Sequence, residues 1–186
     1  THVPALYGRL RRGDNPDVAG AVTDPRAGVL RQRYHALFAD SELPVPVHRI
    51  AEDLLGLQVV EAELAELSGA LFPALREIRV NGDEAETRRR FTLAHELGHW
   101  VCHCLAGQGQ PVFCRHQDLE SSADRALERE ANVFAAELVM PEPEVRDVFA
   151  RQGAVPETAA IFGVSPLAMH WRLYSFGLVD EPPAST

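Results

Sequence analysis

The sequence predicts an α+β fold, and three observations support this. Short stretches of strand character are confined to about residues 57–82. Everything after Asp83 has helical spacing. The strands come as a block before most of the helices instead of alternating with them. The 186 residues suit one domain, and at 46% hydrophobic the chain can bury a core.

Taken in order, residues 1–24 are rich in Pro, Gly and Arg, with "RRGDNPD" the strongest breaker cluster, and read as a flexible N-terminal arm. "PRAGVLRQRYHALFAD" follows, with Val29, Leu30, Tyr34, Leu37 and Phe38 at helical spacing and Pro25 in the first turn. "HRIAEDLLG" is a short helix closed by Gly56. "LQVVEAEL", "SGALFP" and "REIRVN" read as short strands of a small antiparallel sheet. Helices are expected over about 84–105, 121–140, 141–151, 155–162 and 165–176. The loop 106–120 is the longest gap between regular elements, and 180–186 reads as a frayed tail. Residues 25–179 then form the domain, and 155–179 resemble a helix-turn-helix at its C-terminal end.

Net charge −9 and a pI near 5.3 argue against broad nucleic-acid binding, which needs a positive surface. All 18 cationic side chains are Arg, a bias expected of a GC-rich bacterial genome. No apolar run approaches the roughly 18 residues of a membrane span. The N-terminus lacks a signal-peptide core. Three cysteines, Cys102, Cys104 and Cys114, do not suggest a disulfide framework. A cytoplasmic protein is the expectation.

The chemistry centres on "RRRFTLAHELGHWVCHC", residues 88–104. On a helix, Ala94, Leu97, Gly98, Val101 and Leu105 form a core stripe. His95 and His99 lie one turn apart and about 40° apart just beyond its edge, so both imidazoles reach one ion. Glu96 points further round, where it reaches a water at that ion and not the ion itself. This is the H-E-x-x-H arrangement, with two zinc ligands and a general base. The alternative is a helix carrying solvent-exposed or capped histidines. Gly98 inside a helix costs about 1 kcal/mol against Ala, which suggests that a backbone or the metal shell comes close there.

A catalytic zinc keeps three protein ligands. In "ALEREANVFAAELVMP", Glu128 and Asn132 lie one turn apart on one side of the stripe Leu127, Ala131, Phe134, Ala135 and Leu138; Glu130 and Glu137 lie on the other. Glu128 is therefore the expected third ligand, and Asn132 the acceptor for the far N–H of a ligand histidine. Asp124 is a rival, but Ser121 and Asp124 fit a capping box. His103 is two turns from His95, too far to share the ion, and is expected beside the site. "CHC" at 102–104 and "CRH" at 114–116 are a weak candidate for a second metal site, because their spacing is short for zinc clusters. Cys114, between the two ligand helices, either reaches the ion as a regulatory thiol or is a small buried apolar side chain.

Three segments together, "RRRFTLAHELGHWVCH", "EREANVFAAELVMP" and "AAIFGVSPLAMHWRLYSFGL", resemble the ImmA/IrrE family of metallopeptidases over about residues 75–179. "VHRIAEDLLG" fits that family's N-terminal helix. The resemblance implies a zincin-like fold with one Zn2+ held by His95, His99 and Glu128, the gluzincin ligand set. It also implies regulators that cleave a helix-turn-helix repressor and so induce phage, mobile-element or stress genes. The arm at 1–24 has no counterpart in the resemblance.

The expectation is a zinc endopeptidase with Glu96 as general base and a protein substrate. Tyr174, His170 and Arg172 are candidate oxyanion donors. The competing reading is a DNA- or protein-binding module with a non-catalytic zinc site. Against DNA, residues 151–179 hold only Arg151 and Arg172 opposite Glu157, a net of +1.

Overall fold

The computed structural model describes residues 23–40, 42–104, 112–114 and 122–183. Most of the expected arm, the flanks of the 106–120 loop, Ser121, Arg115 and His116, and residues 184–186 lie outside these residues, as do the side chains of Cys114 and Asp124.

The chain opens with helix α1 (Pro25–Phe38). Asp24 caps it by accepting from the Arg26 backbone N–H at 2.9 Å, and Pro25 sits where a missing N–H costs nothing. Its buried side is Ala27, Leu30 and Tyr34. Helix α2 (Val47–Arg49) runs on into a π-turn at Ile50–Leu54, and the chain leaves it through Gly56 at φ +62°. Strands β1 (Gln58–Ala62), β2 (Gly69–Phe72) and β3 (Glu77–Asn81) follow, with a 3-10 turn at Pro73–Leu75 joining the last two. Then come α3 (Glu86–His99), a π-turn over Trp100–Cys104, and β4 (Val112–Cys114). Helices α4 (Ser122–Val139), α5 (Glu142–Gln152), α6 (Val155–Phe162) and α7 (Pro166–Ser175) complete the fold.

The α+β class holds, but the wholly antiparallel sheet does not. The four strands lie in the order β1-β3-β2-β4. β2 pairs antiparallel with β3 and with β4, whereas β1 pairs parallel with β3, Gln58 opposite Glu77. The reason is topological. The chain reverses between β1 and β2 and again in the β2–β3 hairpin, so β1 and β3 point the same way, and β1 docks on the far side of β3. β4 was not foreseen. It lies inside the long loop and is defined by its partner, with Cys114 opposite Gly69 and Val112 opposite Leu71.

Helix α3 contacts β2 and β3 as well as α4. Every residue from Phe91 to His99 is buried, including Thr92, His95, Glu96 and His99. The single apolar stripe expected from sequence therefore understates this helix, which the protein covers on more than one side. The core around it includes Leu71, Ile78, Leu97, Phe134, Leu138, Phe162 and Leu173.

Candidate metal centre

Two close approaches position the site. At Gly98, a Cβ would lie 2.8 Å from the Ala131 carbonyl oxygen and 2.9 Å from its Cα. The absent side chain thus lets the α4 backbone rest against α3, as the cost of this mid-helix glycine suggested. Ala131 stands between Glu128 and Asn132, so the same contact brings both towards the histidines. At Gly69, a Cβ would lie 2.5 Å from Thr92 Cγ2 and 2.8 Å from Glu96 Oε1. The bare β2 backbone there makes room for the Glu96 carboxylate, whose residue is 0% exposed.

Between the two helices the ligand atoms converge. His95 Nε2 and His99 Nε2 lie 3.0 Å apart. Glu128 Oε2 is 3.2 Å from His95 Nε2, and Glu128 Oε1 is 3.1 Å from His99 Nε2. Among the described residues, these three form the one group whose ligand atoms could hold a metal ion together. His95 Nδ1 donates to Asn132 Oδ1 at 2.8 Å. On the other histidine, His99 Nδ1 lies 3.1 Å from His103 Nδ1, and His103 Nε2 lies 3.1 Å from Glu130 Oε2.

The donor set fits zinc. Bonds of about 2.0–2.1 Å in a tetrahedron put ligand atoms about 3.3 Å apart, close to the spacings here. With its proton on Nδ1, His95 presents a bare lone pair at Nε2. That lone pair faces a second ring nitrogen and a carboxylate, a set of acceptors that a cation reconciles. The electrostatics agree. Burial alone would raise the Glu128 carboxyl, but the bonded imidazoles outweigh it and hold the group well below the usual carboxylate range. Burial pushes His99 below its ordinary value. Burial pulls His95 down too, but its Glu128 partner and the nearby Glu96 charge prevail and raise it.

The remaining sequence candidates fall elsewhere. Arg172 is 2% exposed; its guanidinium pairs with Glu137, and its Nε donates to the Met140 carbonyl at 3.0 Å. Glu137 is nine residues beyond Glu128, about 13 Å further along α4, so Arg172 is held at the wrong end of that helix to serve as an oxyanion donor. His170 Nε2 donates to the Glu181 carbonyl at 3.0 Å, and Tyr174 packs edge-on to Trp171, ring centroids 6.1 Å apart. These contacts do not join either side chain to the His–His–Glu group. Cys102 and Cys104 are free thiols on the π-turn, and burial pushes the Cys102 thiol up to about 12.

Sequence reasoning missed Gly69, Glu130 and Arg26. Helical spacing puts Glu130 on the side of α4 opposite Glu128, which hides its link to the site. The available signal was His103, a polar residue on a buried helix that needed an acceptor.

The profile of the IrrE N-terminal-like domain, a peptidase family, matches residues 52–174. The chain is 31% identical over 107 residues to the radiation response metalloprotease IrrE of Deinococcus radiodurans, covering 57% of this chain and 32% of that protein. It is 30% identical over 141 residues to the protein of the same name from Deinococcus deserti, covering 73% and 48%. It thus spans between a third and a half of these relatives' length. Among solved structures, a Mycobacterium tuberculosis transcriptional regulator superposes with a TM-score of 0.60 at 19% identity, covering 81% of this chain and 47% of that one. That likeness concerns the fold alone. The family match extends over more than half of the chain and contains both helices of the His–His–Glu group, and the chain belongs to the IrrE N-terminal-like domain family.

Proposed function

We propose that this protein is a zinc-dependent endopeptidase of the cytoplasm that cleaves a helix-turn-helix transcriptional repressor, inducing stress or mobile-element genes. The observation that carries the reading is the meeting of His95, His99 and Glu128 within hydrogen-bond distance of one another, beside a buried Glu96. A zinc ion held there supplies Lewis acidity towards a carbonyl and acidifies a water. Asn132 orients His95 through its Nδ1 proton, and His103 does the same for His99. Glu96 takes the proton of the attacking water and returns it to the leaving amine. The protein around α3 keeps bulk water from the carboxylate. Tyr174 and His170 stay as candidate oxyanion donors if substrate binding reorients them, and Arg172 leaves that set. A thiol role for Cys114 belongs to the same hypothesis and is tested by its substitution.

The DNA-binding reading gains nothing from the structure. Helices α6 and α7 contact each other, but Arg172 is buried and Arg151 is paired with Asp147 at 2.8 Å. One experiment tests the proposal. Metal is measured on the purified protein, which is then incubated with the repressor encoded beside its gene. Stoichiometric zinc and cleavage by the wild type, with zinc kept and cleavage lost in Glu96→Gln, is the expected result. Full cleavage by Glu96→Gln, or bound zinc with no cleavage of any partner, would overturn it.

A further inference from the structure

A line of hydrogen bonds runs from the candidate metal centre to the start of the first helix. It begins at His99 Nδ1 and passes to His103 and then to Glu130, each step 3.1 Å. Glu130 Oε1 accepts from Arg26 Nη2 at 2.7 Å. Arg26 donates in turn to Asp24 through Nε at 3.0 Å and Nη2 at 2.6 Å, and Asp24 is the residue that caps α1.

With His99 Nε2 kept bare for a metal and His103 neutral, only one placement of protons satisfies every link. A His99 that offers Nε2 as a ligand carries its proton on Nδ1 and donates it to His103 Nδ1. His103 must then hold its own proton on Nε2. That proton needs an acceptor, and an ionised carboxylate does nothing but accept. With His103 in the other tautomer, two N–H groups would face each other across 3.1 Å and the link to His99 would break. Fold stability does not account for the arrangement. The Arg26 and Glu130 side chains are 40% and 41% exposed, and an exposed ion pair contributes little.

We propose that Glu130, backed by Arg26, is a positioning residue for the metal centre. It sets the tautomer of His103, which sets the proton on His99 and presents Nε2 as a metal ligand. This rests on the reading of His95, His99 and Glu128 as the ligand set. It adds a second imidazole to the usual carboxylate–histidine–metal arrangement and makes the first helix part of the centre.

The test uses the full chain loaded with zinc, with affinity measured by chelator competition and the imidazoles observed by 15N NMR. In the wild type, His103 is expected to be protonated on Nε2. Glu130→Ala should weaken zinc binding by about 10–100-fold, and Glu130→Gln, which keeps an acceptor oxygen, should recover much of that loss. Arg26→Met should have a smaller effect of the same sign. His103→Ala should weaken binding as Glu130→Ala does, and adding Glu130→Ala to it should cost nothing further. Unchanged affinity in Glu130→Ala, or losses that add in full, would overturn the proposal. So would a wild-type His103 protonated on Nδ1, a result that needs no variant to fold. If the wild type itself binds no zinc, the ligand set is wrong and this inference falls with it; that failure shows before any variant is made.

Discussion

Gly98 and Gly69 do their work by lacking a side chain. At Gly98 the obstacle to a Cβ is the backbone of Ala131, which cannot swing away as a flexible side chain would. Gly98→Ala is expected to destabilise the fold by about 1–3 kcal/mol despite the better helix propensity of Ala. It should weaken zinc binding as well, because it parts the helices that bring the ligands together. Denaturant unfolding and a zinc titration measure the two effects. At Gly69 the crowded groups are Thr92 and Glu96. Gly69→Ala should therefore reduce kcat far more than zinc affinity, since Glu96 is not one of the three ligands; equal losses in both would count against its assignment as the base. Cys102 permits a chemical check on burial. Its thiol, pushed up to about 12, should resist alkylation near pH 8 in the folded protein and react readily in denaturant.

At the scale of elements, the sequence was most informative where one helix carried the whole answer. Glu128 and Asn132 share a face because they are four residues apart, and helical geometry alone placed them together. The same arithmetic placed His95 beside His99. It failed for Glu130, whose partner lies on another helix and whose position depends on how the π-turn at Trp100–Cys104 sets His103. It failed for β4, three residues long, which exists as a strand only because β2 offers it a partner. It failed for the direction of β1, because pairing order is a long-range property that no local pattern encodes. The joining of α3 to α4 also sets an expectation for metal removal. Stripping zinc should lower Tm, and restoring it to 100 times its Kd should add about 2.7 kcal/mol of stability. His95→Ala, His99→Ala and Glu128→Ala should each abolish that response in a calorimetric scan.

Across the whole molecule, a buried ion pair ties the last helix to the site-bearing helix. Arg172 of α7 meets Glu137 of α4, and the Met140 carbonyl takes a further bond. Breaking such a pair from one side leaves a buried charge and costs about 3–5 kcal/mol, whereas replacing both partners by apolar residues is often neutral. Arg172→Met should therefore destabilise strongly. Pairing it with Glu137→Leu should recover most of the loss, as read from unfolding midpoints. Neither change should alter the zinc affinity of the folded protein, because the pair lies at the other end of α4.

The two halves of the candidate centre sit on separate helices, about thirty residues apart along the chain, and are brought together by the packing of those helices, closest where Ala131 rests on Gly98. During refolding, the full ligand set does not exist until those helices have docked. Tight metal uptake then becomes a clock. If unfolded protein is diluted into buffer with Co2+ in place of zinc, the tetrahedral absorbance should rise with the final packing of α3 on α4, after far-UV helicity has returned, and not with the first collapse of the chain.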